Sequence, residues 1–231
     1  MRSVVTLLCL SLSVAAQGIG PQQVITTNAD GARSVYATDL DGDGDADVLS
    51  ASSNDDKIAW YENQGGGTFG PQQVIATSAD GARSVYATDL DGDGDADVLS
   101  ASLFDDKIAW YENQGGGTFG PQQVITTNAS GAQSVYAADL DGDGDADVLA
   151  PSRYGISWFE NLGGGTFGSE QRISMCVGDI ESAYATDLDG DGDADVLTGA
   201  RYYDVQVAWY ETRGSGSFGA QQVITTGGAL A

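Results

Sequence analysis

The stretch DLDGDGDAD, residues 39–47, places five aspartates in nine positions, with one residue between each aspartate and the next. The same nine letters recur at 89–97, 139–147 and 187–195. Two carboxylates about 6 Å apart repel each other by roughly 0.7 kcal/mol in bulk water, and by more at a protein surface. A chain that builds this cluster four times therefore needs a source of positive charge at every copy.

The overall composition shows that basic side chains do not supply this charge. The 231 residues include 34 acidic and 9 basic ones, and 20 of the acidic residues lie in the four stretches. The formal net charge is −25. Nucleic acids and anionic membrane surfaces are bound through Lys and Arg, so the composition argues against both as partners. It favours metal cations.

The spacing of the aspartates indicates which cation to expect. Read as D-x-D-x-D-G-x-x-D, the first copy offers four carboxylates, a glycine for the sharp turn and, at Asp45, a backbone carbonyl with the side chain turned outward. Oxygen-only ligands on a flexible loop suit calcium, whereas magnesium prefers a rigid octahedral site. Zinc prefers His and Cys, and the chain has no His. The alternative is an acidic loop that is merely solvated.

We therefore expect about one Ca²⁺ per copy, four in all. The candidate metal-binding residues are the aspartates of the four stretches: Asp39, Asp41, Asp43, Asp45, Asp47, Asp89, Asp91, Asp93, Asp95, Asp97, Asp139, Asp141, Asp143, Asp145, Asp147, Asp187, Asp189, Asp191, Asp193 and Asp195. An EF-hand is excluded, because it needs a Glu at loop position twelve and a helix on each side. Position twelve is occupied here by Ser50, Ser100, Ala150 and Thr198.

Each acidic stretch belongs to a longer repeat. The copies start 50, 50 and 48 residues apart, and each is surrounded by short segments rich in Val, Ile, Tyr, Trp and Thr with glycine clusters between them. This pattern predicts about four short strands per unit, and such a unit buries its faces only by stacking on its neighbours. The expected fold class is all-β, with tandem four-stranded blades of β-propeller type. The repeats span about 31–75, 81–125, 131–173 and 179–224.

One strand occurs once more often than the others. The QQVI-type segment appears five times, at Gln22, Gln72, Gln122, Gln171 and Gln221, whereas the other strands occur four times. The leading copy, about 20–27, is similar to the last strand of a missing earlier blade. The alternatives are an open arc, part of a larger ring, a ring completed by a second copy of the chain, and a four-bladed ring with one displaced strand.

The recurring aromatic residues are assigned to packing between blades. A Trp lies in the KIAWYEN-type strand of each unit, at Trp60, Trp110, Trp158 and Trp209, and a Phe lies in each Thr-Phe-Gly or Ser-Phe-Gly segment. At this spacing the Trp residues are interpreted as core rather than as a platform for a ligand.

The amino terminus predicts export. Residues 1–16 have a positive charge at Arg2, a short apolar run and small residues before Gln17, which is typical of a secretory signal peptide. Residues 17–231 are then the repeat domain, secreted and without a membrane span. The domain keeps one cysteine, Cys176, which is interpreted as a buried small side chain or, alternatively, as one half of an intermolecular bridge.

The acidic loop, the DVL strand that follows it and the Thr-Phe-Gly segment together resemble the FG-GAP and VCBS repeats, which form blades in integrin alpha-chain propellers and in many secreted proteins. The resemblance covers about residues 19–226. It implies a calcium ion in a hairpin loop of each blade, held by the first, second, third and last aspartates. It also implies an extracellular adhesion or interaction module.

Signals for catalysis are absent from the sequence. Without His, the chain has no Ser–His or Cys–His pair, and the G-x-G-x-x-G matches such as GGGTFG at 65–70 precede a strand rather than a helix. Three non-catalytic functions remain: a module that binds an extracellular protein, a calcium-dependent lectin, and a purely structural spacer. For a lectin, the variable loops Asn54-Asp55-Asp56 and Phe104-Asp105-Asp106 are the candidate contacts, although a solvated turn is the alternative there.

Overall fold

The computed structural model describes residues 22–175, 179–201 and 206–226. Within these ranges the chain forms sixteen strands in four antiparallel sheets, and in every sheet the strands are neighbours in chain order. We call the sheets blades 1 to 4. Blade 1 contains β1 (Ala32–Thr38), β2 (Asp47–Ser52), β3 (Lys57–Tyr61) and β4 (Gln73–Ala76). The expected all-β array of four-stranded blades is confirmed.

The remaining blades repeat this order. Blade 2 is β5 (Ala82–Thr88), β6 (Asp97–Ser102), β7 (Lys107–Tyr111) and β8 (Gln123–Thr126); blade 3 is β9 (Tyr136–Ala138), β10 (Asp147–Ser152), β11 (Gly155–Phe159) and β12 (Gln171–Ser174); blade 4 is β13 (Asp179–Thr186), β14 (Asp195–Arg201), β15 (Gln206–Tyr210) and β16 (Gln222–Thr226). The second strands of blades 1 to 3 are deeply buried, because each lies between two strands of its own blade and against a neighbouring blade.

The hydrophobic cores lie between successive blades. One cluster joins blades 1 and 2, a second joins blades 2 and 3, and a third joins blades 3 and 4. In the first junction Trp60 packs edge-on against Phe119 of the next blade, with ring centroids 6.5 Å apart. The same pair recurs at the other two junctions. The predicted packing of Trp and Phe between blades is therefore confirmed at all three.

A ladder of tyrosines runs along the first strands of the blades. Tyr36, Tyr86, Tyr136 and Tyr184 follow one another with ring centroids 4.8 Å apart at every step. Burial raises the pKa of Tyr86 well above its ordinary value and that of Tyr136 to about 12. Burial in the ladder therefore makes the hydroxyl groups of Tyr86 and Tyr136 harder to deprotonate.

The four blades form an open arc. Val35 in blade 1 is 69% exposed, whereas its counterpart Val85 in blade 2 is 4% exposed. At the other end, Leu188 of blade 4 is 44% exposed, whereas its counterpart Leu90 is 2% exposed. The first and last blades thus each present an uncovered face, which agrees with an open or partial propeller.

Some sequence expectations concern the ends of the described ranges. The signal peptide at 1–16 and Cys176 lie outside the described residues. Residues 22–31 precede β1 and are not paired into a sheet, because a strand needs a neighbouring edge and no blade precedes them in the described part of the chain. None of the described residues belongs to a helix long and apolar enough to cross a membrane.

Candidate metal centre

Each acidic loop joins the first strand of a blade to the second. In blade 1 the hairpin closes where Thr38 pairs with Asp47, so residues 39–46 project from one end of the blade. The register is the same in the other blades, because the last aspartate of each loop always pairs with the last residue of the first strand. All four loops therefore lie at the same end of their blades.

The loop folds around its own carboxylates. Asp39 accepts hydrogen bonds from the backbone of Gly42 (2.7 Å, to Oδ1) and of Gly44 (2.9 Å, to Oδ2), and Asp41 accepts one from the backbone of Asp43 at 3.2 Å. Gly42 and Gly44 have φ angles of 80° and 95°, a conformation that glycine adopts without strain. The two glycines thus let the backbone curl tightly enough to direct its N–H groups at the aspartates.

The last aspartate of each loop is buried at its base. Asp97 is fully buried, and its carboxylate accepts hydrogen bonds from the backbone N–H groups of Leu90 (2.9 Å) and Asn113 (2.7 Å). Burial raises the pKa of Asp97 and of the equivalent Asp147 to about 7, against the opposing effect of these hydrogen bonds. This carboxylate links the loop, the second strand and the strand after it.

Three carboxylates converge in every loop. Each contributes one oxygen, and the three oxygens lie within 4.8 Å of one another. Calcium binds oxygen at 2.3–2.6 Å, so atoms on opposite sides of one ion lie about 5 Å apart, and the triads fit a single calcium. The triads are Asp39, Asp41 and Asp43; Asp89, Asp91 and Asp97; Asp139, Asp141 and Asp147; and Asp187, Asp189 and Asp195.

The remaining candidates lie outside these triads. In the three later loops the third aspartate is not among the convergent carboxylates, and in the first loop the last one is not. The fourth aspartate of each loop turns toward the glycine cluster: a methyl group added at Gly65 would lie 3.6 Å from Oδ2 of Asp45, and the Gly115–Asp95 pair is similar at 3.5 Å. A calcium bond from the Asp45 backbone carbonyl stays a prediction.

The sequence interpretation missed an asparagine that supports the site. Asn113 donates its backbone N–H to Asp97, and its side-chain Nδ2 donates to the carbonyls of Ala96 (3.1 Å) and of Leu40 in the preceding blade (2.8 Å). It therefore couples the loop to the junction between blades. The recurrence of Trp-Tyr-Glu-Asn was the available signal. In blade 4, Thr212 replaces it and keeps only the bonds within the blade.

The variable loops proposed as sugar contacts have structural contacts of their own. Asp105 forms an ion pair with Lys107 (2.6 Å), and Oδ1 of Asp106 accepts a hydrogen bond from the backbone of Gly131 in blade 3 at 2.7 Å. In blade 1 the equivalent Asp56 binds Gly81 in the same way. These turns therefore act as clamps, by which we mean that each links its blade to the start of the next one through an aspartate–glycine hydrogen bond.

Replacing Asp106 with Ala is expected to destabilise the chain by about 1–3 kcal/mol, because the buried N–H of Gly131 loses its acceptor. The control is Asp106→Asn, which keeps an acceptor oxygen and tolerates the φ of 55° at this position. The measurement is the urea midpoint of each variant. Equal midpoints for the Ala and Asn variants would contradict the assignment of Asp106 as a clamp.

Solved structures resemble the arc of blades. A lectin from Agrocybe aegerita that recognises non-reducing terminal N-acetylglucosamine matches with a TM-score of 0.61 and 25% identity, over 82% of this chain and 51% of that one. The six-bladed β-propeller lectin of Aleuria aurantia matches with a TM-score of 0.48 and 17% identity, over 80% of this chain and 58% of that one. The chain thus spans between half and three-fifths of the length of these propellers.

The V. cholerae biofilm matrix protein Bap1 matches with a TM-score of 0.45 and 21% identity, over 82% of this chain and 30% of that one. No curated protein sequence matches the chain.

The repeats themselves match a known family. The FG-GAP-like repeat matches at residues 39–100, 89–150 and 148–198, and the FG-GAP repeat matches at 181–221. Two of the FG-GAP-like matches begin at the first aspartate of an acidic loop, and the third begins within β10. Together the three matches cover more than half of the chain. The resemblance to FG-GAP repeats expected from the acidic loops is confirmed, and the chain is a member of the FG-GAP-like repeat family.

Proposed function

We propose that the chain is a secreted, non-catalytic interaction module in which every blade holds one structural calcium ion. One observation carries the proposal: three convergent carboxylates recur at the same end of all four blades, the first two aspartates of the loop being common to every triad. A bound calcium ion supplies positive charge and oxygen coordination at each loop. Side chains such as Asp97 and Asn113 hold the loop onto its hairpin and link it to the neighbouring blade.

The surroundings of the triads support a structural rather than a catalytic role. Both oxygens of Asp89 accept backbone hydrogen bonds from its own loop, and both oxygens of Asp97 accept bonds that join separate strands. A catalytic carboxylate needs an oxygen that faces a substrate and a neighbouring acid or base. These carboxylates instead hold the backbone, and they lie on hairpin loops rather than in an apolar cleft.

The expected partner is an extracellular protein or glycan. A calcium-dependent lectin is the second candidate, because the match to the Agrocybe aegerita lectin has a TM-score of 0.61. Two exposed aromatic side chains occupy the same hairpin turn of successive blades, Phe104 in blade 2 and Tyr154 in blade 3. Aromatic rings of this kind stack on sugar faces, and repeated weak sites gain avidity. A purely structural spacer is the remaining alternative.

Isothermal titration tests the calcium sites. The wild-type chain is expected to bind about four ions, one per loop. Asp91→Asn removes a carboxylate of the blade 2 triad and should reduce the number to about three. Asp95→Asn removes the same charge from the same loop, but its side chain faces Gly115, so the number should stay at four. Equal losses in the two variants, or no binding at millimolar calcium, would contradict the proposed sites.

Binding to a glycan array in millimolar calcium, with and without EDTA, tests the lectin candidate. A lectin should retain a defined sugar only with calcium, and Phe104→Ala or Tyr154→Ala should weaken that signal. Val124→Ala is the control, because Val124 is also an exposed apolar side chain but lies on β8 at the outer edge of blade 2. If folded, calcium-loaded protein binds no sugar, the lectin candidate fails, and a protein-binding module or a structural spacer remains.

A further inference from the structure

The two ends of the arc present different apolar faces. We call the uncovered side of blade 1 the start face and define it by Ala32, Val35 and Ala37 of β1. We call the uncovered side of blade 4 the end face and define it by Leu188, Leu197 and Trp209. All three start-face residues are exposed, and the end-face residues are exposed or half-buried.

Inside the arc, the counterparts of these residues form the blade junctions. The valine that corresponds to Val35 is buried in blades 2 and 3, and the leucine that corresponds to Leu188 is buried in blades 1 to 3. In each junction the start-type face of one blade covers the end-type face of the blade before it. The chain therefore carries, at its two ends, the two halves of a contact that it already makes three times.

The hydrogen bonds across the junctions have their donors on the start-type face of one blade and their acceptors on the end-type face of the blade before it. Ser34 in blade 1 accepts a hydrogen bond from the backbone of Val85 in blade 2 (3.3 Å), and Asn113 donates to the carbonyl of Leu40. The pattern repeats between blades 2 and 3. At the ends, the start face offers the donors, on Val35 and Asn63. The end face offers the acceptors, on Ser182 and Leu188, and the described residues provide no partner blade for either set.

In each junction a tryptophan ring of one blade packs directly against a glycine of the next blade. A methyl group added at Gly117 would lie within 2.4 Å of the Trp60 ring, so the indole rests on the glycine itself. Gly165 and Gly216 receive the rings of the preceding blades in the same way. The equivalent Gly67 in blade 1 has nothing within 4 Å, and Trp209 in blade 4 is only half-buried. Among the described residues, no aromatic ring packs on Gly67 and no glycine contacts the Trp209 ring in this way.

We propose that the end face of one chain docks onto the start face of a second copy, with the geometry of an internal blade junction. A second copy of the chain carries every complementary element: the valine and alanines, the serine and asparagine contacts, and the Trp–Gly pair. The tyrosine ladder would continue from Tyr184 to Tyr36 of the partner. The part of the chain that matches the Agrocybe aegerita lectin, 82% of its length, covers 51% of that lectin, so two such parts are about as long as the lectin.

The leading segment lies at the outer edge of the start face. Residues 22–26 line a hollow with Val35 and Val48, on the side where Ile75 of an outer strand packs at the internal junction. Docking with that geometry places β16 of the second copy on this side, so the leading segment must move aside to admit it. Because the two faces differ, the contact is head-to-tail, and its repetition closes a ring or extends a filament.

The mass of the full-length chain in calcium, measured by light scattering after size exclusion, tests the proposal. The wild type should be a multimer of the chain. Val35→Arg blocks the start face and Leu188→Arg blocks the end face, so each should reduce the multimer at least tenfold. Val124→Arg alters another exposed valine, which lies on neither face, and should leave the mass unchanged. A monomeric wild type at high micromolar concentration would overturn the proposal, because the two faces would then not be covered by a second copy of the chain.

Mixing the two blocked variants gives the decisive result. The Val35→Arg chain keeps its end face and the Leu188→Arg chain keeps its start face, so together they make one intact contact. A one-to-one heterodimer is expected, although each variant alone is monomeric. If the mixture stays monomeric, or if one variant alone still dimerises, the contact is not head-to-tail and the proposal fails. Both positions are exposed in the single chain. Because Leu188 lies between Asp187 and Asp189 in the acidic loop of blade 4, the calcium stoichiometry of Leu188→Arg is measured together with its mass.

Discussion

Removing calcium with EDTA is expected to lower the melting temperature of the chain by at least about 10 °C compared with about 5 mM calcium. Extracellular calcium modules bind with dissociation constants of about 10⁻⁴–10⁻³ M. At about 5 mM calcium, each site then contributes about 1–2 kcal/mol to stability. Four sites together contribute about 4–9 kcal/mol, and for a domain of this size about 1 kcal/mol shifts the melting temperature by 2–4 °C.

The physical reason is the repulsion within the triads. Three carboxylate oxygens within 4.8 Å of one another are held in place by the backbone, so they cannot separate while the hairpin remains folded. Removing the cation leaves this repulsion uncompensated in the folded state, whereas the unfolded chain relieves it.

Circular dichroism or scanning calorimetry measures this shift, and two controls separate its causes. Sodium chloride at equal ionic strength screens charge without filling the sites, so it should restore only a small part of the lost stability. Asp91→Asn should reduce the calcium-dependent shift by about a quarter, and Asp95→Asn should not. A melting temperature that EDTA leaves unchanged would refute a structural role for calcium.

Replacing Gly117 with Ala is expected to destabilise the chain by about 3 kcal/mol or more. The added methyl group would lie within 2.4 Å of the Trp60 ring, which is buried between blades 1 and 2 and cannot move without opening that junction. Overpacking of this kind costs about 1–3 kcal/mol. The φ of 67° at Gly117 adds about 1–2 kcal/mol of backbone strain for any residue with a Cβ.

The neighbouring glycine provides the matched control. Gly116 has a φ of 61° in the same turn, and an added methyl group would meet nothing within 4 Å. Gly116→Ala therefore carries the backbone strain without the clash, and its urea midpoint should lie between those of the wild type and Gly117→Ala. Trp60 fluorescence should change only in the Gly117 variant. Identical midpoints for the two variants would show that the Trp–Gly contact contributes nothing.

Much of the fold follows from local pattern. Strand-rich segments of about five residues, glycine at fixed offsets and a period near 50 residues together determine an array of four-stranded blades, because such units bury their faces only by stacking. The four acidic loops could also be predicted from the spacing of their aspartates. Their alternation of aspartate with mostly small residues is typical of a loop that directs several carboxylates at one cation.

The sequence by itself thus determined the blades, their number and the position of each acidic loop, because these depend on residues close together in the chain. The tertiary structure alone decided which three oxygens of a loop converge, because that depends on how the backbone curls around Gly42 and Gly44. It also decided that Asn113 reaches Leu40, 73 residues away, that Asp106 clamps blade 3 and that Gly117 seats Trp60. Contacts between blades join residues far apart in the chain, and local pattern carries no record of them.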